Sequence, residues 1–479
     1  MKKRIIIFGL AVCMIFSVVG CSGPDGEKKK SLPTITWHVP GEKQPDMDLV
    51  MEEINKKLEP IGAGLNLEFI DPGAYEERMQ MKFASNADFD LCFVGYILQY
   101  QGIVGKGGLL PLSELIEKNA PGLLELVPDY AWQAATIDGE IYTVPNNQIM
   151  ATSEAMAVRK DLADKYGLDV SSITKMTDIE PFLDKIKESE PEVYPSDSWI
   201  ARSFMPREKR YEAYYGEMVF LDVETNKIVP YYDLPDIYSN VEKLHDWYKR
   251  GYLRSDIATA GDTSGDRAAG RYAIWGVLNK PGVAAEEELA KGYEVEIISL
   301  ERPYLKSTDP LMTTTAISRA SKNPSASIKF IEMINRDKEL YNTILYGKEG
   351  KHYTKTSENR VEPIVNSGYS LPQSGWKFGN QFNAWLIPGQ EDNIWEETRK
   401  MNDESVKSPI LGLVFNQDNI RTELAQCVKV QQQYLISIFN NGADDPSNYW
   451  EEYKKALNVA GVDKIVADMQ KQVDDFLKN

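Results

Sequence analysis

Beyond Leu32 the chain alternates strand-like and helix-like stretches. Thr34-Ile35-Thr36-Trp37 predicts a short strand, after which Val50, Ile54, Leu58 and Ile61 recur at the spacing that gathers them on one helix face. Leu65, Leu67 and Phe69 alternate with Asn66 and Glu68, the period of a half-buried strand. Asp71-Pro72-Gly73 breaks that run, and Tyr75, Met79 and Phe83 mark a second helix face. Phe89 to Val94 predicts a third strand. Such a β-α-β-α-β order implies a mainly parallel sheet with right-handed crossovers, whose ligands gather at the carboxyl ends of the strands.

Further on, Leu110 to Asn119 and Leu123 to Leu126 are helical in pattern, with Pro111, Pro121 and Pro128 as punctuation. Asp138-Gly139 sets a turn before a strand over Glu140 to Pro145, and the polar Asn146-Asn147-Gln148 marks a crossing between domains. A new strand-to-helix unit begins at Ala155 to Leu162, while proline and aromatic residues crowd Tyr194 to Tyr238 as in a loop-rich second lobe. Arg271 to Gly276 and Tyr293 to Leu300 predict further strands, and Thr313 to Ser318 leads on to Ser321-Lys322-Asn323-Pro324. Ile328, Ile331 and Ile334 predict a helix. After Glu391 strand signals nearly vanish, and Val462, Ile465, Val466, Met469, Val473 and Phe476 form the stripe of a closing helix. No internal repeat is visible.

The N-terminus follows a different logic. Lys2, Lys3 and Arg4 precede an apolar run from Ile5 to Val19, the order of a secretory signal, and the run is short for a membrane span. It closes on Val18-Val19-Gly20-Cys21, which looks like a bacterial lipobox: small residues admit the peptidase, and two acyl chains on Cys21 give stable membrane anchoring. Residues 1–20 are thus expected to be a signal peptide and residues 21–32 a lipidated tether, rich in Gly, Pro and Lys and poor in apolar side chains. The body should be held at the extracytoplasmic face of the cell membrane.

Composition narrows the function. The 479 residues carry 54 Lys and Arg against 72 Asp and Glu, a net charge of −18, which speaks against nucleic-acid partners. With 42% hydrophobic residues the chain can bury a substantial core. Of the four cysteines only Cys21 has a recognisable context; Cys92 and Cys427 could pair, but buried thiols fit the strand-like surroundings of Cys92 better. His38, His245 and His352 lie far apart without zinc-ligand spacing, and no nucleophile elbow, phosphate-binding fingerprint or calcium loop occurs, so neither metal nor cofactor is expected.

Taken in order, the lipobox, the β-α-β-α-β lobe, Tyr142-Thr143-Val144-Pro145 and Val158-Arg159-Lys160-Asp161-Leu162 resemble an extracellular solute-binding lipoprotein of a bacterial ABC importer. Ser321-Lys322-Asn323-Pro324 before the next helix, Gly347-Lys348-Glu349-Gly350-Lys351-His352-Tyr353-Thr354, Ser408-Pro409-Ile410-Leu411-Gly412 and Ala460 to Lys464 carry the likeness to the C-terminus. The resemblance implies an α/β architecture of type II periplasmic-binding-protein fold: two lobes with mainly parallel sheets flanked by helices, joined by a hinge, with a helical C-terminal region. Residues 33–150 and 308–345 are assigned to lobe 1 and residues 151–307 and 346–479 to lobe 2. It further implies a monomer that closes over an oligosaccharide and delivers it to ABC permease subunits, with no reaction catalysed.

The candidate binding residues follow from placement. Trp37, His38 and Tyr96 fall at or beyond the ends of the first and third strands, where an aromatic face can stack on a sugar ring. Asn146, Asn147 and Gln148 offer donors and acceptors for hydroxyls at the crossing. Trp199 and Trp376 lie in loop-like surroundings, and Trp275 follows a strand where the resembling sugar binders place a stacking tryptophan. Two alternatives stay open: a peptide or other polar solute on the same fold, and a surface glycan-degrading enzyme using a carboxylate pair.

Overall fold

The computed structural model describes residues 32–98, 100–151, 153–197, 211–260, 263–434 and 442–478. Cys21 with its signal and tether, and Trp199, lie outside them. No helix among the described residues is long and apolar enough to cross a membrane.

The first lobe is built on a five-stranded sheet in the order Gly64–Ile70, Thr34–Pro40, Leu91–Gly95, Thr313–Ile317, Val144–Pro145. The first three run parallel, and Thr313–Ile317 is antiparallel to both its neighbours. Helices Met47–Lys57 and Pro72–Ala84 provide the crossovers, the second started by Asp71, whose Oδ1 accepts from the N–H groups of Gly73 and Ala74. The strand expected over Glu140 to Pro145 is split. Glu140–Ile141 forms a hairpin with Thr136–Ile137, and only Val144–Pro145 joins the sheet, at an edge that tolerates a residue without an N–H.

A single core fills this lobe, and it extends past the expected boundary. Tyr346, Tyr353, Val361, Tyr369, Phe378, Trp385 and Ile387 are buried in it together with Ile35, Val39 and Phe330. Residues 346–387 therefore belong to lobe 1, not lobe 2. Here the Gly-Lys-Glu-Gly-Lys-His-Tyr run is a structural turn. His352 Nδ1 accepts from the Lys348 N–H at 2.9 Å, which leaves Nε2 to donate to Asp46 at 3.0 Å, beside the N-terminus of helix Met47–Lys57. Gly347, at φ 78°, has no room for a side chain, since a Cβ would come within 2.5 Å of His352 Nδ1.

The second lobe has a four-stranded sheet in the order Val295–Ser299, Ser153–Arg159, Tyr272–Asn279, Tyr194–Ser196, in which only the last pair is parallel. One face packs on helices carrying Leu162, Phe182, Leu183, Leu244 and Trp247. The other face holds Ala157, Tyr272, Trp275 and Val277 beneath helix Val283–Lys291. In the stretch expected to be loop-rich, Tyr211–Tyr214, Val219–Asp222 and Lys227–Pro230 form an antiparallel meander. It shares a separate core with helices Arg421–Tyr434, Trp450–Ala460 and Val462–Phe476, where the predicted stripe Val462, Ile465, Met469 and Val473 is buried. All four cores lie between Ile35 and Val473, so the body from Leu32 carries its own folding surfaces. Cys92 and Cys427 are free buried thiols in different cores, and burial raises the pKa of both.

Candidate functional site

Between the lobes lies a cavity of about 270 Å³. Its first-lobe wall is made by Trp376 and Gln373 on the turn Pro372–Lys377, with Gln381, Trp385 and Trp395 beyond; its second-lobe wall is the helix Val283–Lys291 with the preceding Lys280. Two of the tryptophan N–H groups, those of the less buried rings, are already satisfied: Trp376 Nε1 donates to the Gln373 carbonyl at 3.0 Å and Trp395 Nε1 to that of Ala384 at 2.8 Å. What they offer a ligand is their faces. The charges opposite are balanced, with Lys280 2.6 Å from Glu286 and Lys291 3.4 Å from Glu287. Aromatic planes facing paired charges and amides suit a polar ligand with apolar faces.

Several predicted residues meet here. Tyr96, 55% exposed, has its ring centroid 6.0 Å from that of Trp376, and Phe93 supports both from below at 6.2 and 5.8 Å. Burial on its inner side raises the Tyr96 pKa. Asn146 holds this platform in place: its Nδ2 donates to the Trp376 carbonyl at 3.0 Å, and its Oδ1 accepts from Thr315 Oγ1 at 3.3 Å. Asn147 and Gln148 are likewise spent on the protein, donating to the Leu126 carbonyl and to Thr313 Oγ1, each at 2.8 Å. These three residues shape the crossing, each with a side-chain amide donor engaged by the protein.

Other placements differ from expectation. Trp37 is 1% exposed and edge-packed between Phe330 and Phe378 at 5.5 Å, because it lies within a strand whose residues face core on both sides. A sugar ring has no access to it. His38 is 2% exposed, 3.2 Å from Glu68, and its pKa is lowered to about 4, first by burial and then by Lys82, against the opposing pull of Glu68. Trp275 does not follow a strand but lies inside Tyr272–Asn279, fully buried, where its ring packs edge-on against Tyr293 at 6.1 Å.

Sequence reading missed Trp385, Trp395, Gln373, Gln381, Glu286 and Glu287. For Gln381 and Trp385 the signal was local density: Gly379 to Trp385 packs two Asn, one Gln and two aromatics into seven positions without helix or strand period. The crossing at Asn146 to Gln148 was read from the sequence, but the side chain that holds it was not. Asn402, on helix Ile394–Glu404, accepts from the N–H groups of Met150 and Ala151 at 2.8 and 3.0 Å and donates to the Gln148 carbonyl at 2.8 Å. One side chain thus grips the first crossing between lobes, and the same helix carries Trp395 into the cavity wall. No group of His, Cys, Asp and Glu suited to a metal ion occurs among the described residues.

Comparison with known proteins bears on this geometry. A carbohydrate ABC transporter substrate-binding protein of Streptococcus pneumoniae serotype 4 is 29% identical over 493 residues, covering 100% of this chain and 99% of the relative. The crystal structure of the N-glycan transport solute binding protein NgtS from Streptococcus pneumoniae matches with a TM-score of 0.84 at 28% identity, covering 93% of this chain and 99% of that one. NgtS in complex with Man1GlcNAc matches at 0.79 and 29% identity, covering 93% and 100%. Residues 409–478, the C-terminal helices, match a domain of unknown function. The model for bacterial extracellular solute-binding proteins matches residues 62–339, more than half of the chain, and the protein belongs to that family.

Proposed function

We propose that the chain is an extracytoplasmic receptor that captures a short neutral glycan between its lobes and hands it to an ABC permease without chemical change. The observation that carries this reading is the interlobe cavity, with the tryptophan faces of one lobe set against the charge-balanced helix of the other. Solute contacting both walls favours the closed arrangement, because a ligand shifts a hinge equilibrium only by its differential affinity for the two states. NgtS, similar over nearly the whole chain, is a binder of N-glycan fragments, which makes mannose and N-acetylglucosamine oligosaccharides the first class to test. The tether and Cys21 would keep the receptor at the membrane beside its permease.

A binding role is favoured over glycan cleavage because each cavity carboxylate is charge-paired with a neighbouring lysine through one oxygen. Thermal unfolding of the body from Leu32 against Man1GlcNAc, longer glycans and peptides tests the reading. A selective rise in melting temperature with glycans, with the sugar recovered intact after long incubation, is expected; a ligand at a hundredfold excess over Kd adds about 2.7 kcal/mol. A rise with peptides alone, or cleaved sugar, overturns it.

A further inference from the structure

Trp275 is fully buried, yet it is connected to the cavity. Its Nε1 donates to Glu287 Oε2 at 2.8 Å, across the strand-to-helix layer of the second lobe. Lys291 approaches the same oxygen at 3.4 Å from one helical turn further on. Both partners bind Oε2. Glu287 Oε1 takes no hydrogen bond among the described residues, and Glu287 lines the cavity with its side chain 20% exposed. The carboxylate is thus held through Oε2, on a residue that lines the space between the lobes.

We propose that Glu287 is a ligand-binding residue whose Oε1 accepts a hydrogen bond from sugar hydroxyls, and that Trp275 is the positioning residue that aims it. The inference rests on the glycan-binding reading above and names the second-lobe group that carries it. Chemistry supports the assignment. An ionised carboxylate is an acceptor only, which suits hydroxyl donors, and a charge-assisted hydrogen bond is about twice as strong as a neutral one. The Lys291 pairing balances its charge, so a neutral sugar leaves no uncompensated charge when water is expelled, whereas an anionic sugar would meet Glu286 and Glu287 directly. The buried indole fixes the rotamer before ligand arrives, so little side-chain freedom is lost on binding.

The test is calorimetric titration of the body from Leu32 with Man1GlcNAc. Glu287→Ala should weaken binding about 10- to 100-fold, the worth of a hydrogen bond to a charged group. Trp275→Phe, which keeps a six-membered ring near Tyr293 but removes the N–H together with the five-membered ring that carries it, should weaken it several-fold. The double variant should be no weaker than Glu287→Ala alone, which a merely structural role for Trp275 would not produce. Glu287→Gln, matched in shape, should fall between wild type and Glu287→Ala and replaces the alanine variant if that one unfolds. Wild-type affinity in Glu287→Ala, or losses that simply add in the double variant, overturns the inference alone. Absence of binding by the wild type overturns the glycan reading, and this assignment falls with it.

Discussion

The two lobes solve the same problem with different interiors. In the first, one continuous core gathers chain segments from Ile35 to Ile387, so its cleft edge, with Tyr96 and Trp376, rests on a single block. In the second, three cores are stacked: the two faces of the sheet, and the meander with the C-terminal helices. The first lobe offers the cleft aromatic planes and the second offers a short charged helix that covers the smallest of those cores. A block and a layered body, joined where Asn402 grips Gln148 to Ala151, are suited to rigid-body closure.

Trp37→Ala should break this contrast most severely. It empties a fully enclosed position between Phe330 and Phe378, and large-to-small changes of this kind cost about 3–5 kcal/mol. Because the first lobe has one core, hydrogen exchange should show protection lost across all its strands. Met469→Ala, in the helical unit, should cost about 2–5 kcal/mol and leave first-lobe protection unchanged. Loss of first-lobe protection in Met469→Ala would show that the cores do not act separately.

Acid should also distinguish the lobes. His38 sits in the first core with its pKa lowered to about 4 from 6.5, so the unfolded chain binds more protons at every pH between those values. Its contribution is complete above about pH 6.5 and is lost progressively as pH falls towards 4, by roughly 3 kcal/mol in all. The melting temperature should therefore drop between pH 7 and pH 4.5, first-lobe strands should lose exchange protection first, and His38→Gln should reduce the drop. A drop of equal size in His38→Gln would assign it to other groups.

How much of this was legible beforehand depended on backbone regularity. The opening strands and helices were readable because Leu65, Leu67 and Phe69, or Val462, Ile465 and Met469, repeat with the period of their element. Tyr369, Phe378 and Trp385 are as deeply buried, but on turns and 3₁₀ segments that have no period, so the lobe boundary was placed too early. For the same reason the cavity wall from Gln373 to Trp395 went unseen. Trp37 and Trp275 failed differently. A tryptophan near a strand end fits a binding edge and a core equally well, and only the covering layers, Phe330 and Phe378 over one and helix Val283–Lys291 over the other, decide which it is.

Asn402→Ala tests the joint between the lobes. It removes both acceptor contacts to the Met150 and Ala151 N–H groups and the donor to Gln148, leaving buried backbone groups unpaired at a cost of about 1–3 kcal/mol. Distances between spin labels on the two lobes, measured without ligand, should spread over a wider range than in wild type. An unchanged distribution would place the hinge's stiffness elsewhere.

The smallest effect is expected at the platform itself. Trp376 is held by its own turn and by ring contacts with Phe93 and Tyr96, so Trp376→Ala should leave the melting temperature nearly unchanged. Its loss should appear in glycan affinity, by about 1–2 kcal/mol or roughly 5- to 30-fold, since a stacked ring contributes its buried area and little else. Tyr96→Ala should act in the same direction and less than additively with it, because the two rings touch and present one surface. Calorimetric affinities for Trp376→Ala and Glu287→Ala then rank the lobes directly. A larger loss at Glu287 would show the second lobe setting affinity through its aimed carboxylate, with the aromatic platform serving mainly to orient the sugar; the reverse order would make the single-cored lobe the one that holds the ligand.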